Sequence, residues 1–239
     1  MVYIRSVIFN LIMAASAVVY TPIAVLTFPL PSLHRYIIIS GWARFILWCL
    51  RWICGLNYRV EGREHLPLGP AVILSKHQSA WETIAFQQIF PPQVWVLRRS
   101  LLWIPFFGWG LAMTDPIAID RASARQALEQ VVSQGKQRLA NGRWVVVFPE
   151  GTRMAPGQRG TYSPGGALLA ARSGYPIVPV AHNAGEFWKK RGILKRPGTI
   201  RVVIGPTLNS KGAHAKDLIK QVETWIEATM EKLTEGGEV

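Results

Sequence analysis

The run Ala71-Val72-Ile73-Leu74-Ser75-Lys76-His77-Gln78-Ser79-Ala80-Trp81-Glu82 passes from strand to helix through a histidine. Four unbroken apolar residues suit a strand buried on both faces, and the polar turn that follows ends it. A helix is predicted over 80–90. In α/β folds ligands sit beyond the carboxyl ends of the strands, which is where His77 falls. Glu82 follows five residues later. A base that takes a proton from an alcohol needs a neutral imidazole with one nitrogen free and a carboxylate on the other. His77 and Glu82 meet that need if the chain turns between them. Ser79 and Glu82 equally satisfy a capping box, as N-cap and N3, which would leave His77 an ordinary strand-end residue.

On either side, β-rich runs alternate with helical ones. Strands are predicted at 57–60, 94–97, 144–148, 177–180 and 200–204, several of them unbroken apolar runs. Helices are predicted at 122–140, 164–173 and 215–234. The first opens with Ser123 and Gln126, a capping-box pair. The last carries Leu218, Val222, Trp225, Ile226 and Leu233 on one stripe, with its acids expected on the other face. Alternation of this kind implies an α/β sheet covered by helices.

The 239 residues suffice for one catalytic domain with an appendage. Hydrophobic residues make up 49% and charged residues 17%, which excludes intrinsic disorder. Two cysteines, Cys49 and Cys54, exclude a disulfide scaffold and a CxxC centre. The net charge is +13, yet residues 1–60 contain five arginines and no acid. Residues 7–30 carry no charge over more than the roughly 20 residues that cross a bilayer. A signal peptide fits poorly because the apolar run continues past Ala15-Ser16-Ala17. A buried core helix is disfavoured by Pro22, Pro29 and Pro31. A second apolar stretch, 36–55, places Arg44 and Arg51 on one helical face, as an interfacial helix would. Residues 1–55 are therefore expected to be membrane-associated and 56–239 to form the catalytic domain. The later arginines place that domain on the cytoplasmic side of the inner membrane. A basic body among apolar segments suits anionic lipid and acidic carriers rather than nucleic acid.

Two further stretches carry chemistry. Phe148-Pro149-Glu150-Gly151-Thr152-Arg153 follows a predicted strand. Gly151 lets the backbone approach a ligand, Arg153 offers a planar fork for phosphate, and Thr152 adds a donor. The same residues also fit a plain turn in which Glu150 pairs with Arg153. Ile117-Ala118-Ile119-Asp120-Arg121 ends in a second arginine, and fits a solvated helix start equally well. A lipid hydrolase would use a Ser in G-x-S-x-G, and the segment around Ser163 lacks the preceding Gly.

Taken in order, His77 with Glu82, then I-x-I-D-R, then F-P-E-G-T-R, then Pro176-Ile177-Val178-Pro179-Val180, resemble the four motifs of the glycerolipid acyltransferases. The pattern is most like that of the bacterial 1-acyl-sn-glycerol-3-phosphate acyltransferases (PlsC-type). It spans roughly residues 57–205 and includes the aromatic stretch Leu101-Leu102-Trp103-Ile104-Pro105-Phe106-Phe107-Gly108-Trp109-Gly110. Four positions depart from the usual pattern: Glu82 for Asp, Lys76 for Asn, Asp115 for Gly and Ser100 for Glu. The resemblance implies a mixed sheet flanked by helices, like that of glycerol-3-phosphate acyltransferase, behind an N-terminal hydrophobic hairpin. It also implies acyl transfer from acyl-CoA or acyl carrier protein to the sn-2 hydroxyl of lysophosphatidic acid. His77 would be the base oriented by Glu82, with Arg121, Glu150, Gly151, Thr152 and Arg153 at the acceptor. No metal or resident cofactor is implied. Another lysolipid acceptor is the alternative within the family.

Overall fold

The computed structural model describes residues 1–120 and 123–234. In chain order the elements are α1 (Val2–Leu26), α2 (Ser32–Cys49), β1 (Leu56–Glu61), β2 (Val72–Ser75), α3 (Trp81–Ile89), β3 (Gln93–Arg98), α4 (Phe107–Ala112) and β4 (Ile117–Ile119). There follow α5 (Ala124–Ala140), β5 (Trp144–Val147), α6 (Gly165–Ser173), β6 (Ile177–His182), α7 (Ala184–Phe187), β7 (Gly198–Ile204) and α8 (Ala215–Thr234). The seven strands form one sheet in the order β1-β7-β6-β2-β5-β3-β4. All neighbours are parallel except β6 and β7. The sheet is therefore mixed, as expected.

Successive strand residues point to opposite faces, and both faces are covered. Ile73, Val146 and Val178 pack with α3 and the N-terminal helices on one side. Val72, Leu74, Val145 and Ile177 pack with α5, α6 and α8 on the other. This double burial is why the strands read as unbroken apolar runs. At the start of α5, Ser123 accepts a hydrogen bond from Gln126 N, as a cap should.

Both N-terminal helices are long and apolar enough to cross a membrane. Pro22 lies inside α1 without ending it, while Pro29 and Pro31 fall at the turn into α2. Only a narrow stripe of α1 is buried: Ser6, Phe9, Thr21 and Ala24. Its other side leaves Ile4, Leu11, Val19 and Leu26 bare. The hairpin is fastened by polar contacts as well as by apolar ones. Lys195 N donates to Ser6 Oγ at 2.9 Å, and Asn10 Nδ2 donates to Ile193 O at 3.0 Å. Thr21 Oγ1 donates to Phe106 O at 3.0 Å, and Arg35 pairs with Asp115 at 2.7 Å. Asp115 has φ +55°, the left-handed region that Gly enters freely and Asp tolerates. The departure from Gly thus keeps the backbone shape and adds an anchor for α2.

Candidate active site

Three neighbouring parallel strands build the site. β5, β2 and β6 lie side by side, so the loops after Val147, Ser75 and His182 leave the sheet at one edge. His77 stands between the other two. Met154 N donates to His77 O at 2.7 Å, tying the first loop to the second. The imidazole stacks on Phe148, with centroids 3.9 Å apart and 13° between planes, and Phe148 stacks in turn on Trp95. That stack fixes the plane of the ring.

Glu82 fixes its rotation. His77 Nδ1 lies 2.9 Å from Glu82 Oε1. The same oxygen accepts Gln78 N and Ser79 N at 2.9 and 2.8 Å, while Ser79 Oγ accepts Trp81 N. One carboxylate therefore meets both the imidazole and the backbone before the helix, but not as the expected capping box: Ala80 rather than Ser79 is the N-cap, and Ser79 Oγ accepts Trp81 N rather than the N–H of Glu82. Closing the helix end puts the carboxylate where it meets the imidazole. An ionised carboxylate only accepts, so Nδ1 carries the proton and Nε2 keeps its lone pair. No described residue bonds Nε2. An imidazole held in that tautomer can accept a proton at Nε2.

Burial pushes the Glu82 pKa up, but the imidazoles of His182 and His77 and the Ser79 N–H outweigh it, leaving the carboxyl below its ordinary value. His182 is wholly buried, and burial pushes its pKa down. Its Nε2 lies 2.9 Å from Lys76 O, and its Nδ1 accepts Ala184 N. Folding therefore disfavours the protonated form of His182 and favours the ionised form of Glu82. Both contribute stability that is complete above the unfolded values of about 6.5 and 4.5 and is lost as pH falls below them toward the lower folded values. Denaturant midpoints measured from pH 8 to pH 3 should begin to fall below about pH 6.5 and steepen below about pH 4.5, and His182→Gln should remove the fall above pH 4.5. A midpoint flat down to pH 5 would contradict this account.

Lys76 is the buried charge that the sequence did not explain. Its Nζ lies 2.8 Å from both Glu150 Oε1 and Glu227 Oε1, and donates to Gln158 O at 3.1 Å. Glu150 also accepts His77 N and Gly160 N, and its side chain is fully buried. Glu150 therefore acts on His77 from behind, and its carboxylate faces Lys76 rather than Arg153. Glu227 accepts Tyr162 OH at 2.8 Å and pairs with Arg159 at 3.4 Å. The expectation that the acids of α8 lie on the solvent face is corrected here. Glu227 sits at the edge of the apolar stripe and turns inward to meet a cation. The only sequence sign of this was a lysine directly after a buried strand.

Gly151, Thr152 and Arg153 follow Glu150 in the loop tied to His77. Gly151 turns the chain at φ +67° and Thr152 is exposed, its Oγ1 accepting Lys190 Nζ at 3.1 Å. Arg153 is half-buried and makes no ion pair among the described residues. Asp120 N donates to Gln130 Oε1 at 3.2 Å. Arg121 lies outside the described residues.

The acyltransferase family profile matches residues 57–183, which contain His77, Glu82, Glu150, Arg153 and His182. A Pseudomonas aeruginosa 1-acyl-sn-glycerol-3-phosphate acyltransferase is 45% identical over 236 residues, covering 97% of this chain and 92% of its own. The chain belongs to the 1-acylglycerol-3-phosphate O-acyltransferase family. The Saccharomyces cerevisiae 1-acyl-sn-glycerol-3-phosphate acyltransferase is 32% identical over 58% of this acyltransferase and 46% of its own length. The crystal structure of PlsC, the 1-acyl-sn-glycerophosphate acyltransferase of Thermotoga maritima, has a TM-score of 0.79. It is 21% identical and matches 97% of this acyltransferase and 95% of that chain, so the fold is shared across the hairpin as well as the sheet.

Proposed function

We propose that this acyltransferase moves a fatty acyl group from a thioester, acyl-CoA or acyl carrier protein, to the sn-2 hydroxyl of lysophosphatidic acid, forming phosphatidic acid. The observation that carries the proposal is the His77–Glu82 pair with Nε2 unclaimed, beside the unpaired guanidinium of Arg153. His77 Nε2 takes the hydroxyl proton as the oxygen attacks the thioester carbonyl. The carboxylate of Glu82 stabilises the imidazolium. The tetrahedral intermediate collapses and expels the thiolate, which takes the proton back from His77. No protein nucleophile and no resident cofactor enter this sequence. Arg153, with Arg121 as a second candidate, holds the acceptor phosphate, while Gly151 and Thr152 shape the loop beneath it. The bare apolar faces of α1 and α2 suit a bilayer, and the arginines of α2 suit its cytoplasmic surface.

Thiol release from one thioester donor, measured with a panel of lysolipids, tests the reading. Release is expected with lysophosphatidic acid and far less with lysophosphatidylcholine or lysophosphatidylethanolamine. Release without any lysolipid would indicate hydrolysis instead. Arg153→Ala is expected to lower kcat/KM for the acceptor by the worth of a charged hydrogen bond, about 1.5–3 kcal/mol, with little change in the thioester KM. Equal losses for both substrates would remove Arg153 from the acceptor site.

A further inference from the structure

A cleft of about 510 Å³ opens between α1 and the segment leading into β7, and Ala80 and Arg153 belong to its lining. One wall comes from α1 and is apolar but for Asn10: Val7, Leu11 and Met13, with Leu11 65% exposed. The other carries Arg153, Lys189 and Arg191, and no acid lines the cleft. None of these three cations forms an ion pair or a side-chain hydrogen bond among the described residues. The fourth cation there, Lys195, is already committed, donating to Asn10 Oδ1 at 2.6 Å and to Ile193 O at 2.9 Å.

The basic wall is also held in place. Lys190 Nζ reaches back to Thr152 Oγ1 and Arg153 O, which fastens the 189–191 segment to the loop beside His77. Gly192 N closes a turn onto Lys189 O at 2.9 Å, and Arg191 occupies that turn at φ +58°. A non-glycine residue seldom holds that conformation without compensation. Three cations without ion-pair partners among the described residues line one opening and lower the energy of an anion there, and each can donate to phosphate oxygens. The facing apolar wall belongs to the helix that suits a bilayer. An anion alone leaves that wall unused, and an uncharged lipid leaves the cations unused.

We infer that this cleft is the entry and headgroup site for an anionic amphiphile with a terminal phosphomonoester. Lys189 and Arg191 join Arg153 on the phosphate, and Val7, Leu11 and Met13 carry the start of the alkyl chain. The inference rests on the acceptor reading above and adds two specificity-determining cations and a wall supplied by α1. A dianionic phosphomonoester exposes three oxygens to three cations. A phosphodiester headgroup has fewer free oxygens and, in choline lipids, brings a positive charge into a basic cleft.

The test compares the full-length protein with the Lys189→Ala/Arg191→Ala variant in neutral mixed micelles. KM for lysophosphatidic acid should rise about tenfold or more, and its preference over lysophosphatidylcholine should shrink by a similar factor. The loss should fall on the acceptor KM rather than on kcat or on the thioester KM. Independently of turnover, dodecyl phosphate should raise the melting temperature of the wild type more than dodecylphosphocholine does, and the variant should lose that difference. Leu11→Ser should weaken the response to dodecyl phosphate but not any response to inorganic phosphate. A rise in the thioester KM alone would assign the cations to the donor and overturn the inference. Loss of sedimentation with phosphatidylglycerol vesicles, with acceptor selectivity intact, would overturn it in favour of a general membrane contact. Unchanged constants in the variant would do so as well. If the wild type failed to acylate lysophosphatidic acid, the proposed function would fall, while dodecyl phosphate binding would still report on the cleft.

Discussion

His77→Ala is expected to lower kcat by about 10²–10⁴ while leaving the melting temperature nearly unchanged. The side chain is 14% exposed and its ring covers Phe148 without being enclosed by the core, so its loss removes a base and little packing. Glu82→Gln separates the two duties of the carboxylate. The amide oxygen can still accept from Gln78 N and Ser79 N, so the helix end should survive. The charge that stabilises the imidazolium is gone, so turnover should fall. Glu82→Asp retains the charge on a shorter arm and should keep partial activity. Wild-type turnover in Glu82→Gln would reduce Glu82 to a structural role at the helix start. A full loss of folding in His77→Ala would make its role structural.

Lys76→Met is expected to destabilise the fold by about 3–5 kcal/mol, the usual cost of removing one partner from a buried ionic cluster. It would leave Glu150 and Glu227, both within 2.8 Å of the missing ammonium, facing one another in the interior. The double variant Lys76→Met/Glu227→Gln removes a charge of each sign and should recover a large part of the loss. Because Glu150 Oε2 also accepts His77 N at 3.0 Å, turnover of the folded fraction should fall more than substrate affinity does. Urea denaturation followed by single-turnover kinetics checks both parts. A loss below about 1 kcal/mol, or no recovery in the double variant, would show that the cluster is not coupled as described.

The sequence by itself determined six of the seven described strands, all but β4, and the place of the candidate site. Strands β2 and β5 each lie between two neighbours and beneath helices on both faces, so they had to be apolar throughout, and that requirement is visible residue by residue. The motif loops were legible because they interrupt those runs with His77, Glu150 and Arg153 at strand ends. Only the tertiary structure decided how the charges pair. Lys76 and Glu227 are 151 residues apart, and no local period encodes their meeting. It follows from the sheet order β6-β2-β5 and from α8 packing across the face that β2 and β6 share. The fastening of α1 is of the same kind. Ser6 and Asn10 look like stray polar residues in an apolar helix until the 193–195 segment returns to bond them. Glu82 shows the limit most directly. Its spacing from Ser79 and from His77 supported two roles at once, and only the fold of the turn shows one oxygen meeting both the Nδ1 of His77 and the N–H of Ser79, with Ala80 as the N-cap.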